Sequence, residues 1–100
     1  MKSDVPKFCS MKGFLTFRIL CYLLHGEKSG NDIAELIGKG SGKKPSPGTI
    51  YPALKELKQA RLIVGKKKGK EIAYSLTASG RTEAKIAYKY FKRCFSDILE

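Results

Sequence analysis

The chain has 100 residues, 20 of them Lys or Arg against 9 Asp or Glu, for a formal net charge of +11. That length supports one domain with a limited core, and a hydrophobic content of 42% excludes a disordered chain. The longest wholly apolar run, Ile19 to Leu24, is far too short for a membrane span or a secretory signal.

Residues 1–11 read as an N-terminal extension. Lys12 to His25 is predicted as the first helix. Phe14, Leu15, Phe17, Ile19, Leu20, Cys21, Tyr22, Leu23 and Leu24 cover nearly its whole circumference, so it should be buried on more than one side. In so small a domain another subunit is the easiest cover for the second side. Gly26 supplies the stop. His25, the one histidine, sits at the end of this helix and reads as a cap residue. No second histidine exists to complete a metal site.

Ser29 to Ile37 is predicted as the second helix, opened by the capping box of Ser29 and Asp32 and ended by Gly38. Ile33, Leu36 and Ile37 form its inner face. Glu27, Asp32 and Glu35 read as capping and surface charges. The loop from Gly38 to Pro45 resembles a phosphate-binding loop only superficially. The position five before Gly42 is Ile37, Lys44 follows Lys43 where Ser or Thr is required, and no strand precedes. It reads as a flexible basic connector.

Ser46 to Ala60 is predicted as the third helix. Ser46 suits the N-cap, and Pro47 suits the first helical position, where its missing N–H costs nothing. Ile50, Leu54, Leu57 and Ala60 repeat at helical spacing and can face a core. Thr49, Tyr51, Pro52, Lys55 and Lys58 are left mostly outward. Pro52 cannot donate to the Gly48 carbonyl, so a kink or a loosened first turn is expected there. Hydroxyls, an aromatic ring and lysines on one exposed helix suit a DNA groove. An ordinary surface helix would look the same in isolation.

Charge distinguishes the two. Residues 39–70 hold ten basic side chains and one acid, Glu56, a net +9, so the rest of the chain contributes +2. A field so concentrated attracts polyanions, and it brackets the third helix.

Leu62 to Val64 and Ile72 to Leu76 read as short strands, the second with Ile72, Tyr74 and Leu76 alternating against Ala73 and Ser75. The hairpin tip between them, Gly65 to Lys70, carries Lys66, Lys67, Lys68 and Lys70. Its simplest use is against phosphates. Thr77 to Glu100 is predicted as the last helix, with Thr77 as N-cap. Ala84, Ala87, Tyr88, Phe91, Cys94, Phe95 and Ile98 recur at three- and four-residue steps, and no later element covers them. This stripe, with Phe14 and Phe17 of the first helix, is the expected dimer interface. Three cysteines, Cys9, Cys21 and Cys94, form no CxxC pair, which argues against a disulfide framework. Cys21 and Cys94 are expected to be buried, reduced thiols of a cytoplasmic protein.

The order helix, helix, helix, strand, strand, helix is that of a winged helix-turn-helix, mainly α with a small β-hairpin (α+β), plus one C-terminal helix. The chain resembles the PadR family of transcriptional regulators. The matching residues are Ser29-Gly30-Asn31-Asp32-Ile33, Ser46 through Leu57, Arg61-Leu62-Ile63 and Tyr74-Ser75-Leu76-Thr77-Ala78-Ser79-Gly80, within residues 13–81. Asn31 stands where the family often has tyrosine. The wing is short and carries lysines where arginines are usual. The brief C-terminal region is similar to the family's small subgroup.

The resemblance implies a homodimeric, repressor-like protein that binds double-stranded DNA. Residues 1–76 would form the DNA-binding domain, and residues 77–100 the dimerisation helix. The expected DNA contacts are Lys43, Lys44, Ser46, Gly48, Thr49, Tyr51, Pro52, Lys55, Lys66, Lys67, Lys68 and Lys70. No catalytic residue, metal or cofactor is expected, and no small-molecule effector is identified. A basic RNA-binding or ribosome-associated winged helix is the rival. Single-stranded RNA is read by stacking, and Tyr51 is the one exposed aromatic expected near the basic patch. A winged helix devoted to protein partners is disfavoured by the +9 field.

Overall fold

The computed structural model describes residues 11–99. The N-terminal extension through residue 10, with Cys9, and the last residue, Glu100, lie outside the described residues. The elements are α1 (Met11–Leu23), β1 (Lys28–Ser29), α2 (Gly30–Ser41), α3 (Pro47–Gln59), β2 (Ile63–Lys68), β3 (Glu71–Leu76) and α4 (Ala78–Leu99). Four helices and a three-stranded antiparallel sheet, ordered β1-β3-β2, make an α+β winged helix-turn-helix. The strand β1 has no counterpart among the predicted elements. Lys28 and Ser29 pair with Tyr74 and Ala73 of β3.

The core gathers one stripe from each helix. Ile19, Leu20 and Leu23 of α1 meet Ile33, Ala34 and Ile37 of α2 and Ile50, Ala53, Leu54 and Leu57 of α3. Leu62, Ile63, Tyr74 and Ala84 close it from the wing and α4. Each large aliphatic side chain so buried is worth about 1.5–3 kcal/mol. Ala53, one turn after Ile50, is buried, whereas Ala60, predicted to face the core, is exposed. The helix has ended by then, and Ala60 serves as its C-cap.

Two element ends, those of α2 and β2, lie four residues beyond expectation for identifiable reasons, and α1 ends at Leu23, two residues before His25. The second helix does not stop at Gly38 but runs to Ser41, and the left-handed residue that ends it is Gly42, at φ +80°. Gly38 is kept for another purpose. A Cβ there would lie 3.0 Å from the Lys44 Cα, so its absence lets the returning chain pack closely. The connector is correspondingly shorter. The wing strands are also longer than predicted. Lys66, Lys67 and Lys68 lie within β2, opposite Ala73, Ile72 and Glu71. The tip is the turn at Gly69 and Lys70.

The segment from Tyr74 to Gly80 fixes α4 to the wing. Thr77 caps α4, its Oγ1 accepting the Gly80 N–H at 2.9 Å and donating to the Arg61 carbonyl at 2.8 Å. The Thr77 N–H donates to the Leu62 carbonyl at 3.0 Å. A Cβ on Gly80 would come within 1.8 Å of that same carbonyl oxygen, so only glycine fits.

Candidate nucleic-acid interface

The α3 helix presents the face expected from its spacing. Ile50, Ala53, Leu54 and Leu57 are buried, while Gly48, Thr49, Tyr51, Pro52, Lys55 and Lys58 are exposed. The helix is continuous through Pro52. Ser46 stands at the N-cap with extended backbone, but its side chain caps no N–H. Its hydroxyl instead lies 3.3 Å from the Thr49 hydroxyl, and its carbonyl accepts the N–H groups of Thr49 and Ile50. Two hydroxyls thus sit together at the exposed start of the helix.

Tyr51 is 48% exposed and occupies the junction of three elements. Its ring rests against Gly30 at the start of α2. It also lines a cleft of about 160 Å³ with Asn31, Lys70, Ile72 and Tyr74. Burial pushes the Tyr74 phenol above its ordinary pKa, and the neighbouring Tyr51 adds to this. Gly30, Asn31 and Ile72 were not among the expected site residues. The one cue for Gly30 was its place inside a helical pattern, where glycine is less favourable than alanine by about 1 kcal/mol.

The lysines fall into two groups. Lys55, Lys66, Lys67 and Lys70 are exposed along α3 and the wing. Lys43, exposed on the connector, Lys44 and Lys68 are engaged within the chain. Lys44 Nζ is 3.0 Å from Glu35 Oε2 and 3.3 Å from Asn31 Oδ1. Lys68 pairs with Glu27, whose carboxyl the Lys68 hydrogen bond and charge hold below its usual range, with a further contribution from Lys66. These are exposed pairs, which polyanions displace at little cost.

The aromatic stripe assembles on α1 and α4. Phe17 and Phe91 stack at 4.2 Å between ring centroids, Phe14 lies 5.9 Å from Phe91, and Phe95 lies 5.8 Å from Phe91. Phe17, Tyr88, Phe91, Phe95 and Leu99 line an open apolar groove of about 330 Å³. Ala84 and Ala87 bury the first half of α4 against its own domain, whereas Ile98 and Leu99 are 74% and 83% exposed. Cys21 and Cys94 are half-buried rather than buried, because α1 and α4 each keep an uncovered side. Partial burial still pushes the Cys21 thiol up to about 11. His25 is exposed.

The model of the transcriptional regulator PadR-like family matches residues 19–86, from the end of α1 through the first part of α4. The chain belongs to that family. The fold of this PadR-like chain recurs in solved structures at low sequence identity. A transcriptional regulator from Clostridium thermocellum is 20% identical, with a TM-score of 0.75 over 98% of this chain and 94% of that one. A ZitR mutant from Lactococcus lactis in apo form is 23% identical, with a TM-score of 0.74 over 88% of this chain and 64% of that one. The circadian clock associated protein Pex from Anabaena is 20% identical, with a TM-score of 0.69 over 89% of this chain and 84% of that one. No curated protein sequence matches the chain. No helix among the described residues is long and apolar enough to cross a membrane.

Proposed function

We propose that this PadR-like chain is a sequence-specific double-stranded DNA-binding regulator without catalytic activity. It acts in the cytoplasm as a homodimer and represses from an inverted-repeat operator. The observation that carries this reading is α3, buried along Ile50, Leu54 and Leu57 and exposed along Thr49, Tyr51, Pro52 and Lys55. A helix so oriented can enter a major groove, with its free N–H groups near Ser46 to Thr49 meeting a phosphate. Thr49 and Tyr51 then touch base edges, and Lys43, Lys66, Lys67 and Lys70 supply the phosphate contacts. Lys44 and Lys68 join them by exchanging their carboxylate partners for phosphates. Residues 1–76 carry DNA binding. Residues 77–100 carry dimerisation, for which the half-open groove of Phe17, Tyr88, Phe91 and Phe95 is the supporting observation.

RNA binding is the second reading, and selection distinguishes them. The protein is incubated with a random duplex library in the presence of single-stranded DNA and RNA competitors at fixed salt. The expected result is enrichment of duplexes sharing an inverted repeat, with half-sites about one helical turn apart. Displacement of the duplexes by RNA at equal concentration would sink the DNA reading.

A further inference from the structure

The strongest unexplained feature of the interface is a missing methyl group. Gly30 opens α2 immediately after the Ser29 cap and is buried. Its φ is not positive, so no turn geometry demands glycine there. Helix propensity disfavours it, since alanine is the better helix former. What an alanine would meet there is Tyr51. A Cβ on Gly30 would lie 2.9 Å from Tyr51 Cε1, 3.0 Å from its hydroxyl oxygen and 3.1 Å from Cζ. All three atoms belong to the outer end of the ring, the part that meets a base if α3 enters the groove.

Toward the wing the ring borders a cleft. Tyr51 shares its cleft with Ile72 and Tyr74 of β3. Tyr74 in turn lies across Gly65, its partner in β2, where a Cβ would come 3.3 Å from the Tyr74 ring and 2.9 Å from Ile72 Cγ2. Two tyrosines are thus seated beside glycines, one from the helix side and one from the wing side. Tyr51 lies between Gly30 of α2 and the cleft that it shares with the wing.

We infer that Gly30 is a positioning residue for DNA sequence recognition: the absence of its Cβ seats the Tyr51 ring against α2 and so fixes where the Tyr51 hydroxyl meets the DNA. This rests on the reading of α3 as the recognition helix. The clash that alanine creates is with the free end of a side chain, not with backbone. The ring therefore swings aside and the fold survives. The loss falls on recognition.

A double-mutant cycle tests this on the full chain and its selected duplex, with a random duplex as the non-specific reference. Gly30→Ala should keep the wild-type melting temperature or raise it, and bind random duplex as the wild type does. Its ratio of specific to non-specific affinity should fall roughly 5- to 100-fold, the range expected when one base is no longer read. In the Tyr51→Ala background, adding Gly30→Ala should change the ratio no further, because the ring it displaces is gone. Fluorine NMR of protein labelled with fluorotyrosine should show the Tyr51 resonance moved by Gly30→Ala, with Tyr88 and Tyr90 unmoved.

An unchanged ratio in Gly30→Ala beside a reduced one in Tyr51→Ala would overturn the positioning role and leave α3 as the reader. Additive losses in the double variant, or failure of Gly30→Ala to fold, would also overturn it. An unchanged ratio in Tyr51→Ala would remove the recognition reading itself, and the inference with it.

Discussion

Three adjacent lysines of the wing have the same chemistry and different directions. In the β2–β3 register Lys67 stands opposite Ile72, while Lys66 and Lys68 stand opposite Ala73 and Glu71. Paired residues share a face of the sheet and successive residues alternate, so Lys67 is on the face of Ile72 and Tyr74, next to Tyr51. Lys66 and Lys68 are on the other face, where Lys68 already has Glu27 as its partner. That pair is held above the Glu27 pKa, which lies below the usual value, and is lost as pH falls through it. Changing all three lysines to Ala should weaken binding to every duplex alike. The slope of log K against log salt should shrink by about 0.9 for each phosphate that is no longer neutralised. Lys67→Ala alone should account for the largest single share. A triple variant with the wild-type slope would place the wing away from DNA.

At the scale of elements, the sequence carried the helices well and the small β-structure poorly. The two faces of α3 were legible because Ile50, Leu54 and Leu57 recur at helical spacing. So was the start of α2, where the capping box forms as expected, with Asp32 N–H donating to Ser29 Oγ at 3.0 Å. The end of α2 was not legible. Gly38 and Gly42 look alike in sequence, and only the approach of Lys44 to Gly38 separates a packing glycine from a stopping one. The two residues of β1 are too few for any period. Lysines on an exposed hairpin arm carry no alternation either, which hid the length of β2.

The α4 helix carries the dimer proposal. Its first half is anchored by Ala84 and Ala87, and its second half carries Phe91, Phe95 and Ile98 beyond the core. Phe91→Lys places a charge in the middle of the stacked ring cluster, where burial of an unpaired charge is costly. The wild type should sediment as a dimer at micromolar concentration, and the variant as a monomer or as unfolded protein. A monomeric wild type, or a soluble dimeric Phe91→Lys, would contradict the proposal.

At the scale of the whole molecule, two surfaces with different chemistry lie on different elements. The basic surface spans the connector, α3 and the wing. The aromatic surface spans α1 and the outer half of α4. The proposed two-fold pairing through the aromatic surface would present two α3 helices to one duplex, which is why an inverted repeat is expected. In the proposed function the charge field supplies affinity for any duplex, and α3 supplies the choice among duplexes. Those two terms separate experimentally.

The most direct measurement is therefore the ratio of affinities for the selected operator and for random duplex, at fixed salt, in the wild type, Thr49→Ala and Tyr51→Ala. Each variant should lose on the order of 1–3 kcal/mol on the operator. Each should bind random duplex as the wild type does, so that the ratio collapses. If both variants keep the wild-type ratio, α3 does not read the sequence and the account is wrong.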